Sequence, residues 1–375
     1  MTGPRFVAKE RSEFAGVLRK RVRQYLKDND IAAHDNGAVA IKGVILIASY
    51  LLPFIVLLVW QPTNAWQWIG LAVLQGLGAA GVGMSVMHDS LHGSLSPKQM
   101  HNTIWGWSMN ILGGSVVAWQ IQHNRQHHTY TNILGHDEDI RERSFLRMSA
   151  SAPLLPIHRY QHYYALFLYP LMTLNMLFKD FTALKDYDKA GFLTDAKTTY
   201  KVEMIKVIVT KFFYGFAFLV LPIALGVLNI WQTLAYFLIM HAVVGFVLSV
   251  VFQLAHVVEV ATHPEANADF QIENEWVIHQ LETTVNFCPK NPVLNWYTGG
   301  LNYQVEHHLF PNLCHIHYPS IAPIVRQTAE EFGIAYHQED SFWKILGSHM
   351  RLLKTLGRTP PQSASVEHRE PVLAM

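Results

Sequence analysis

Residues 66–92 read WQWIGLAVLQGLGAAGVGMSVMHDSLH. The stretch up to Met87 carries no charged residue and is long enough to cross a bilayer, which takes about 20 apolar residues. It then switches abruptly to His88-Asp-Ser-Leu-His92. An apolar span that ends in two histidines one helical turn apart offers a candidate metal-binding edge at the membrane surface. Taken alone the pair is weak, because a spacing of four arises about once by chance in a chain this rich in histidine. Its meaning depends on what the other segments bring to the same edge.

The composition supports a membrane setting. Of 375 residues, 50% are hydrophobic and only 15% are charged, the balance of an integral membrane protein. A net charge of +1 provides no basic field, and no nucleic-acid-binding motif is present, so nucleic acid is excluded as a partner. Cys288 and Cys314 form neither a CxxC knuckle nor a disulfide framework and read as free thiols in a reducing compartment. Histidine is the outlier, with 21 residues, most of them between positions 81 and 318.

Residues 41–60, 205–228 and 231–253 are as long and apolar as residues 66–87, which gives two transmembrane hairpins. The connectors 61–65 and 229–230 lack Lys and Arg, whereas the N-terminal arm and residues 179–206 are rich in both. The positive-inside rule therefore places the connectors outside, and both termini and the histidine clusters on the cytosolic side, in a bacterial inner membrane or, in a eukaryote, the endoplasmic reticulum. Residues 104–119, with Gly113-Gly114, and 163–178, with Pro170, are short for a span. A crossing by the first would also put His92 and His123 on opposite faces, so both runs are expected to be re-entrant or interfacial.

No cleavable signal is expected at the N-terminus. Residues 5–27 pattern as a basic amphipathic helix, with Phe14, Val17, Leu18, Val22 and Tyr25 on one side and Arg19, Lys20, Arg21, Arg23 and Lys27 around the rest. That fits a helix on an anionic leaflet, or one packed on the protein itself. The expected organisation is a cytosolic basic arm over 1–38, a membrane domain over 39–344 and a C-terminal tail over 345–375, disordered from Arg358 onward. The fold class is an all-α integral membrane protein: four transmembrane helices in two hairpins, interfacial helices, and a cytosolic helical cap carrying a di-metal site.

The second cluster is His123-Asn-Arg-Gln-His127-His128. On an α-helix His123 and His127 share a face and His128 lies about 100 degrees round, so the helix can serve a site off its edge or two neighbouring metals. Downstream, His136, Asp137, Glu138 and Asp139 offer acceptors for the second nitrogen of a ligating imidazole, as an ordinary hydrated turn also would. Asp89 and Asp137 are the candidate supporting carboxylates. The third cluster, QVEHH, sets Gln304, His307 and His308 at i, i+3 and i+4, with Gln304 where a third histidine would stand. His256 ends the last span on the same membrane face. His241, deep in that span, reads as a hydrogen-bonded core histidine, and His101, His158, His162, His263, His279, His315 and His317 are left unassigned.

The clustered set is then His88, His92, His123, His127, His128, His256, His307 and His308, with Gln304 a possible further ligand or a partner of metal-bound water. One zinc needs three or four ligands. Eight imidazoles suit two metals with open positions, and iron, copper, nickel and zinc all accept such ligands. Hydrogen abstraction from an unactivated alkyl C–H bond calls for iron with O2 rather than zinc.

In that order HDSLH, HNRQHH and QVEHH resemble the three histidine boxes of membrane fatty acid desaturases, over about residues 39–344. The fragment QLETTVNFCPKNPVLNWYTGGLNYQVEHHLFP is similar to the third-box region of the front-end group, in which glutamine replaces the first histidine of the last box. The resemblance implies two non-haem iron ions held by the box histidines, with His256 as the family's extra histidine. It implies O2 as co-substrate, an acyl-CoA or acyl-lipid substrate, and a new cis double bond at a delta-5- or delta-6-like position. Phe252 departs from relatives with a polar water-binding residue one turn before that histidine. The only His-Pro is His263-Pro, not a haem-binding HPGG, so electrons are expected from a separate donor, a ferredoxin or a cytochrome b5 with its reductase. Trp105, Trp107, Trp119 and Trp296 are either walls of an acyl tunnel or interface anchors.

Two alternatives stay open. The same centre can serve a sphingolipid desaturase or an acyl or carotenoid hydroxylase. A histidine-rich metal transporter would place polar ligands at mid-membrane depth, whereas these clusters sit at span ends.

Overall fold

The computed structural model describes residues 3–8, 12–34, 37–141 and 144–361. Four of its helices are long and apolar enough to cross a membrane: Ala38–Trp60, Ala65–His92, Tyr200–Ala224 and Ile230–His256. Each hairpin turn ends in an asparagine cap. Asn64 accepts from Gln67 N while Gln67 Oε1 reaches back to Asn64 N, and Asn229 and Gln232 repeat the arrangement. These reciprocal bonds satisfy the free N–H groups of a helix start where the chain reverses.

The spans are not equivalent. In the second, 67% of the apolar window is buried in protein, against 28% in the first and 22% in the third. The second and fourth therefore form the centre and the first and third the flanks, with Ile41, Val44, Leu52, Ile208 and Phe212 turned outward. Close approach depends on small residues, as expected where lipid offers no hydrophobic driving force between helices. A Cβ on Gly78 would stand 2.4 Å from the backbone carbon of Ser49.

Neither shorter apolar run forms a spanning helix. Residues 104–119 are divided among Gln99–Gly106, Ser108–Ile111 and Val116–Gln120, with Gly113 at φ +86° ending the second. Residues 163–178 break at the 3-10 turn Tyr169–Leu171, which contains Pro170, before Met172–Lys189 begins. Beyond His256 a helical cap follows, built from Trp276–Thr283, Pro292–Thr298, Gln304–Leu309, Tyr318–Glu331 and Phe342–Leu356. Two short parallel pairs pin it, Arg5–Phe6 on Gln271–Ile272 and Asn286–Phe287 on Gln338–Glu339.

Of the two placements open to the basic helix, packing on the protein is the one seen. The helix Phe14–Asp28 does not offer its apolar stripe to a leaflet: Phe14, Leu18 and Val22 are buried with Ile321 and Val325 of the cap. The expected tail boundary needs correction, because the tail does not begin at 345. Ile345, His349, Leu353 and Leu356 recur at helical spacing and are buried, His349 bonds Val257 O at 2.6 Å and Tyr169 OH at 2.5 Å, and buried Arg147 donates to the carbonyls of Leu356 and Thr359. The expectation of disorder from Arg358 onward falls mostly on residues 362–375, which lie outside the described residues; residues 358–361 are described, and Thr359 O accepts from Arg147.

Candidate metal centre

One span end, one π-helical turn and one short cap helix converge under the cap, with His256 at the end of the fourth span. A π-helical turn, Gly83–Met87, precedes the helix His88–His92. The second cluster lies on another, Ile121–His127, with His128 immediately after it. This changes the expected α-helical arrangement. In a wider turn, residues at i, i+4 and i+5 share a side, so His123, His127 and His128 all face inward. Nε2 of His128 is 3.2 Å from Nε2 of His123, and the His123 and His127 rings stack at 5.3 Å.

The imidazoles sort into two linked groups. Ligand atoms of His88, His92, His123 and His307 lie within 4.8 Å of one another, as do those of His127, His256 and His308, and His128 joins the two sets through His307 and His308. Nε2 of His88 is 3.1 Å from Nε2 of His123. Two nitrogens on one metal, each bonded at about 2.1 Å, stand roughly 3.0–3.4 Å apart. Nε2 of His92, His256, His307 and His308 is buried without a hydrogen-bond partner among the described residues. A buried polar atom left so is costly unless something binds it. The residues fit metal ions.

On His127, His256, His307 and His308 the other ring nitrogen is held by protein. His127 Nδ1 meets both Asp137 oxygens at 3.1 Å and Asp139 at 3.4 Å. His308 Nδ1 meets Gln280 Oε1 at 2.8 Å, His307 Nδ1 meets Tyr318 OH at 3.2 Å, and His256 Nδ1 donates to Thr283 O at 3.1 Å. Such partners fix tautomer and ring direction, leaving Nε2 for a metal. Burial, reinforced by neighbouring imidazoles, holds His123, His128, His307 and His308 well below the ordinary histidine range. Neutral rings are the ligating form.

The model of the family described as fatty acid desaturase matches residues 63–340, which contain all eight imidazoles. The chain belongs to the fatty acid desaturase family. It is similar to the sn-1 linoleoyl-lipid 6-desaturase of Arthrospira platensis, 36% identical over 94% of this chain and 94% of that one. It resembles the sn-1 linoleoyl-lipid 6-desaturase of Synechocystis sp., 32% identical over 96% and 99%. It also resembles the acyl-lipid (8-3)-desaturase of Physcomitrium patens, 32% identical over 93% of this chain and 73% of the relative. Like other members, it is an oxidoreductase.

Other expected positions of the desaturase separate. Gln304 opens the helix Gln304–Leu309, buried on the same face as His307 and His308. Of the four acceptors after the second cluster, Asp137 and Asp139 reach His127. His136 packs on Tyr130 and Phe270, and Glu138 pairs with Lys179 at 2.6 Å. Asp89 lies 3.7 Å from His88 Nδ1, and its shorter contact is to His315 Nδ1 at 2.6 Å. His315 was unassigned; its Nε2 is 2.9 Å from Lys42 Nζ, so one buried chain ties the first span, the first cluster and the segment after the third. A lysine in an otherwise apolar span was the signal for it.

Trp119 is the one of the four tryptophans that meets the centre. It stacks on His123 at 4.5 Å and turns its ring to His88 at 5.7 Å. Trp107 is exposed, and Trp296 lies under the Lys42 ammonium at 5.3 Å. His241 has both ring nitrogens bonded, to Tyr214 OH and Thr173 Oγ1, each at 3.0 Å.

Proposed function

We propose that this desaturase holds two non-haem irons between its histidine groups and uses O2 to introduce a cis double bond into an acyl chain, on the carboxyl side of an existing one. The observation that carries the reading is the set of inward, unpartnered Nε2 atoms on His92, His256, His307 and His308. His88, His92, His123 and His307 would hold one ion, and His127, His256 and His308 the other, with His128 between them. Iron with O2 supplies the oxidising power that removing hydrogen from an unactivated C–H bond requires. The balance is one CH2–CH2 unit, one O2, two electrons and two protons giving one CH=CH and two waters.

The chain's own residues position and shield. Asp137, Gln280, Tyr318 and the Thr283 carbonyl hold the rings against rotation. Trp119, stacked on His123, would be the apolar surface that sets one methylene pair beside the ligands, so that position selects the bond; the small cavity behind it is mixed, lined by Met109, Met176 and Tyr187 and by Gln122, Lys179 and Asp180. Gln304, on the ligand face, supports the front-end reading through the resemblance of its box to that group; a neutral amide binds metal more weakly than imidazole and would leave one position more open. The names of the relatives favour an acyl-lipid over an acyl-CoA substrate, and the six- or five-position for the new bond. The active face and both termini are cytosolic, and electrons arrive from a separate one-electron donor.

The test is mass spectrometry of lipids from cells that express the chain and are fed linoleic acid. A new double bond on the carboxyl side of the existing one supports the reading. A new hydroxyl group, or an unchanged acyl profile in a strain that supplies electrons, overturns it.

A further inference from the structure

We propose that the exposed face of the helix Phe14–Asp28 is the docking surface for an acidic one-electron carrier protein; this rests on the oxidative reading above. Phe14, Leu18 and Val22 are spent on packing against the cap helix Tyr318–Glu331. Arg21 turns the same way, 2.6 Å from Glu331 and 3.1 Å from Thr328 Oγ1. Arg19, Lys20, Arg23 and Lys27 project outward and line one shallow concavity with Gly16 and Gln24. Among the described residues none of these four forms an ion pair, whereas Arg21 does. Like charges at i, i+4, here Arg19 with Arg23 and Arg23 with Lys27, destabilise a helix. An acidic partner offsets that cost.

The stripe is linked to the metal centre through the cap. Tyr318, the first residue of the cap helix, is buried in the same cluster as Phe14 and Leu18 and touches His307 Nδ1 at 3.2 Å. Val305, two residues before His307, belongs to that cluster too. A carrier seated on the stripe is thus connected to a candidate ligand through the basic helix, about 10 Å across, and the cap helix on which it packs, whose Tyr318 touches His307. A soluble partner is favoured over a lipid surface, because an amphipathic helix inserts into a leaflet by its apolar face. Here that face is already buried, and the helix packs on the cap rather than on any span.

The redox balance requires such a site to be used repeatedly. Reducing O2 to two waters takes four electrons; two leave with the C–H bonds of the acyl chain, and two come from two reduced carriers, each oxidised by one electron. Exchange of a spent carrier for a fresh one favours contacts that are electrostatic, fast and weakened by salt.

The test uses the full-length enzyme in detergent, an acidic plant-type [2Fe–2S] ferredoxin as the probe, and the variant Arg19→Glu/Lys20→Glu/Arg23→Glu/Lys27→Glu, whose altered side chains are all exposed. The expected result is ferredoxin binding by the wild type at low salt that fades as ionic strength rises, and binding by the variant about tenfold weaker or worse. The melting temperature, and the product yield with a small chemical reductant in place of the carrier, should not change. Absent binding by the wild type, or equal affinity in the two proteins, overturns the proposal. So does a variant that loses only co-sedimentation with anionic phosphatidylglycerol vesicles, which would make the stripe a membrane contact. The chemical-reductant arm isolates the parent reading: a wild type that makes no desaturated product from either electron source contradicts the oxidative chemistry, while the binding comparison still decides the docking site.

Discussion

The His127 ring is clamped by Asp137: its Nδ1 lies 3.1 Å from each carboxylate oxygen. That carboxylate is itself fixed, accepting the backbone N–H groups of Asn132 at 2.9 Å and Asp139 at 3.0 Å. Asp137→Asn keeps the shape and removes the charge. Metal affinity of the His127, His256 and His308 group should fall about 10- to 100-fold, measured by competition with a chelator of known affinity above about pH 9, where no proton competes at His127.

The same contact sets a pH dependence. Burial pushes the His127 pKa down, but Asp137 and Asp139 outweigh it and raise the value to about 9. In the metal-free protein the ring is therefore protonated at neutral pH, and a metal must displace that proton from Nε2. Metal affinity should rise with pH from about 7 to about 9 and level off above. For metal-free folding the sign is opposite: a raised pKa stabilises below the unfolded value of about 6.5, and the contribution is lost as pH rises through about 9. Chelator competition across pH checks the first statement and chemical denaturation of metal-free protein the second; Asp137→Asn should flatten both profiles.

The spans and the histidine clusters were legible because each rests on a local pattern, an apolar run of bilayer length or a pair at helical spacing, and His256 was legible as the end of a span. The inward turn of His128 was not. An α-helical wheel puts it off the face, and nothing in HNRQHH announces the wider turn over Ile121–His127. The bond from His315 to Asp89 joins positions over 200 residues apart, which no spacing rule relates. The basic helix was readable as amphipathic, but not which surface its apolar stripe would meet. The boundary at 345 cuts the helix Phe342–Leu356, whose narrow apolar stripe, Ile345, His349, Leu353 and Leu356, recurs at helical spacing among polar and charged residues.

Gly299 holds the third cluster against the second span. Its φ is +63°, and a Cβ there would stand 2.5 Å from Met84 O and 2.7 Å from Ser85 Cα, in the turn that leads into His88. Gly299→Ala combines a left-handed strain of about 1–3 kcal/mol with a clash against backbone that cannot swing away. A lower melting temperature and reduced metal content should appear together.

Topology is testable with single cysteines, since Cys288 and Cys314 are both buried. Thr63 lies in the first connector and Gln327 on the cap, both exposed. In intact cells a membrane-impermeant maleimide should label Thr63→Cys and spare Gln327→Cys. The reverse pattern would invert the assigned orientation.

Metal counting tests the two-centre reading most directly. His256 belongs to the His127 and His308 group and not to that of His88, His92, His123 and His307. Elemental analysis of purified enzyme should give about two irons per chain, and His256→Ala should retain about one. One zinc per chain in the wild type, or two irons retained by His256→Ala, would contradict it.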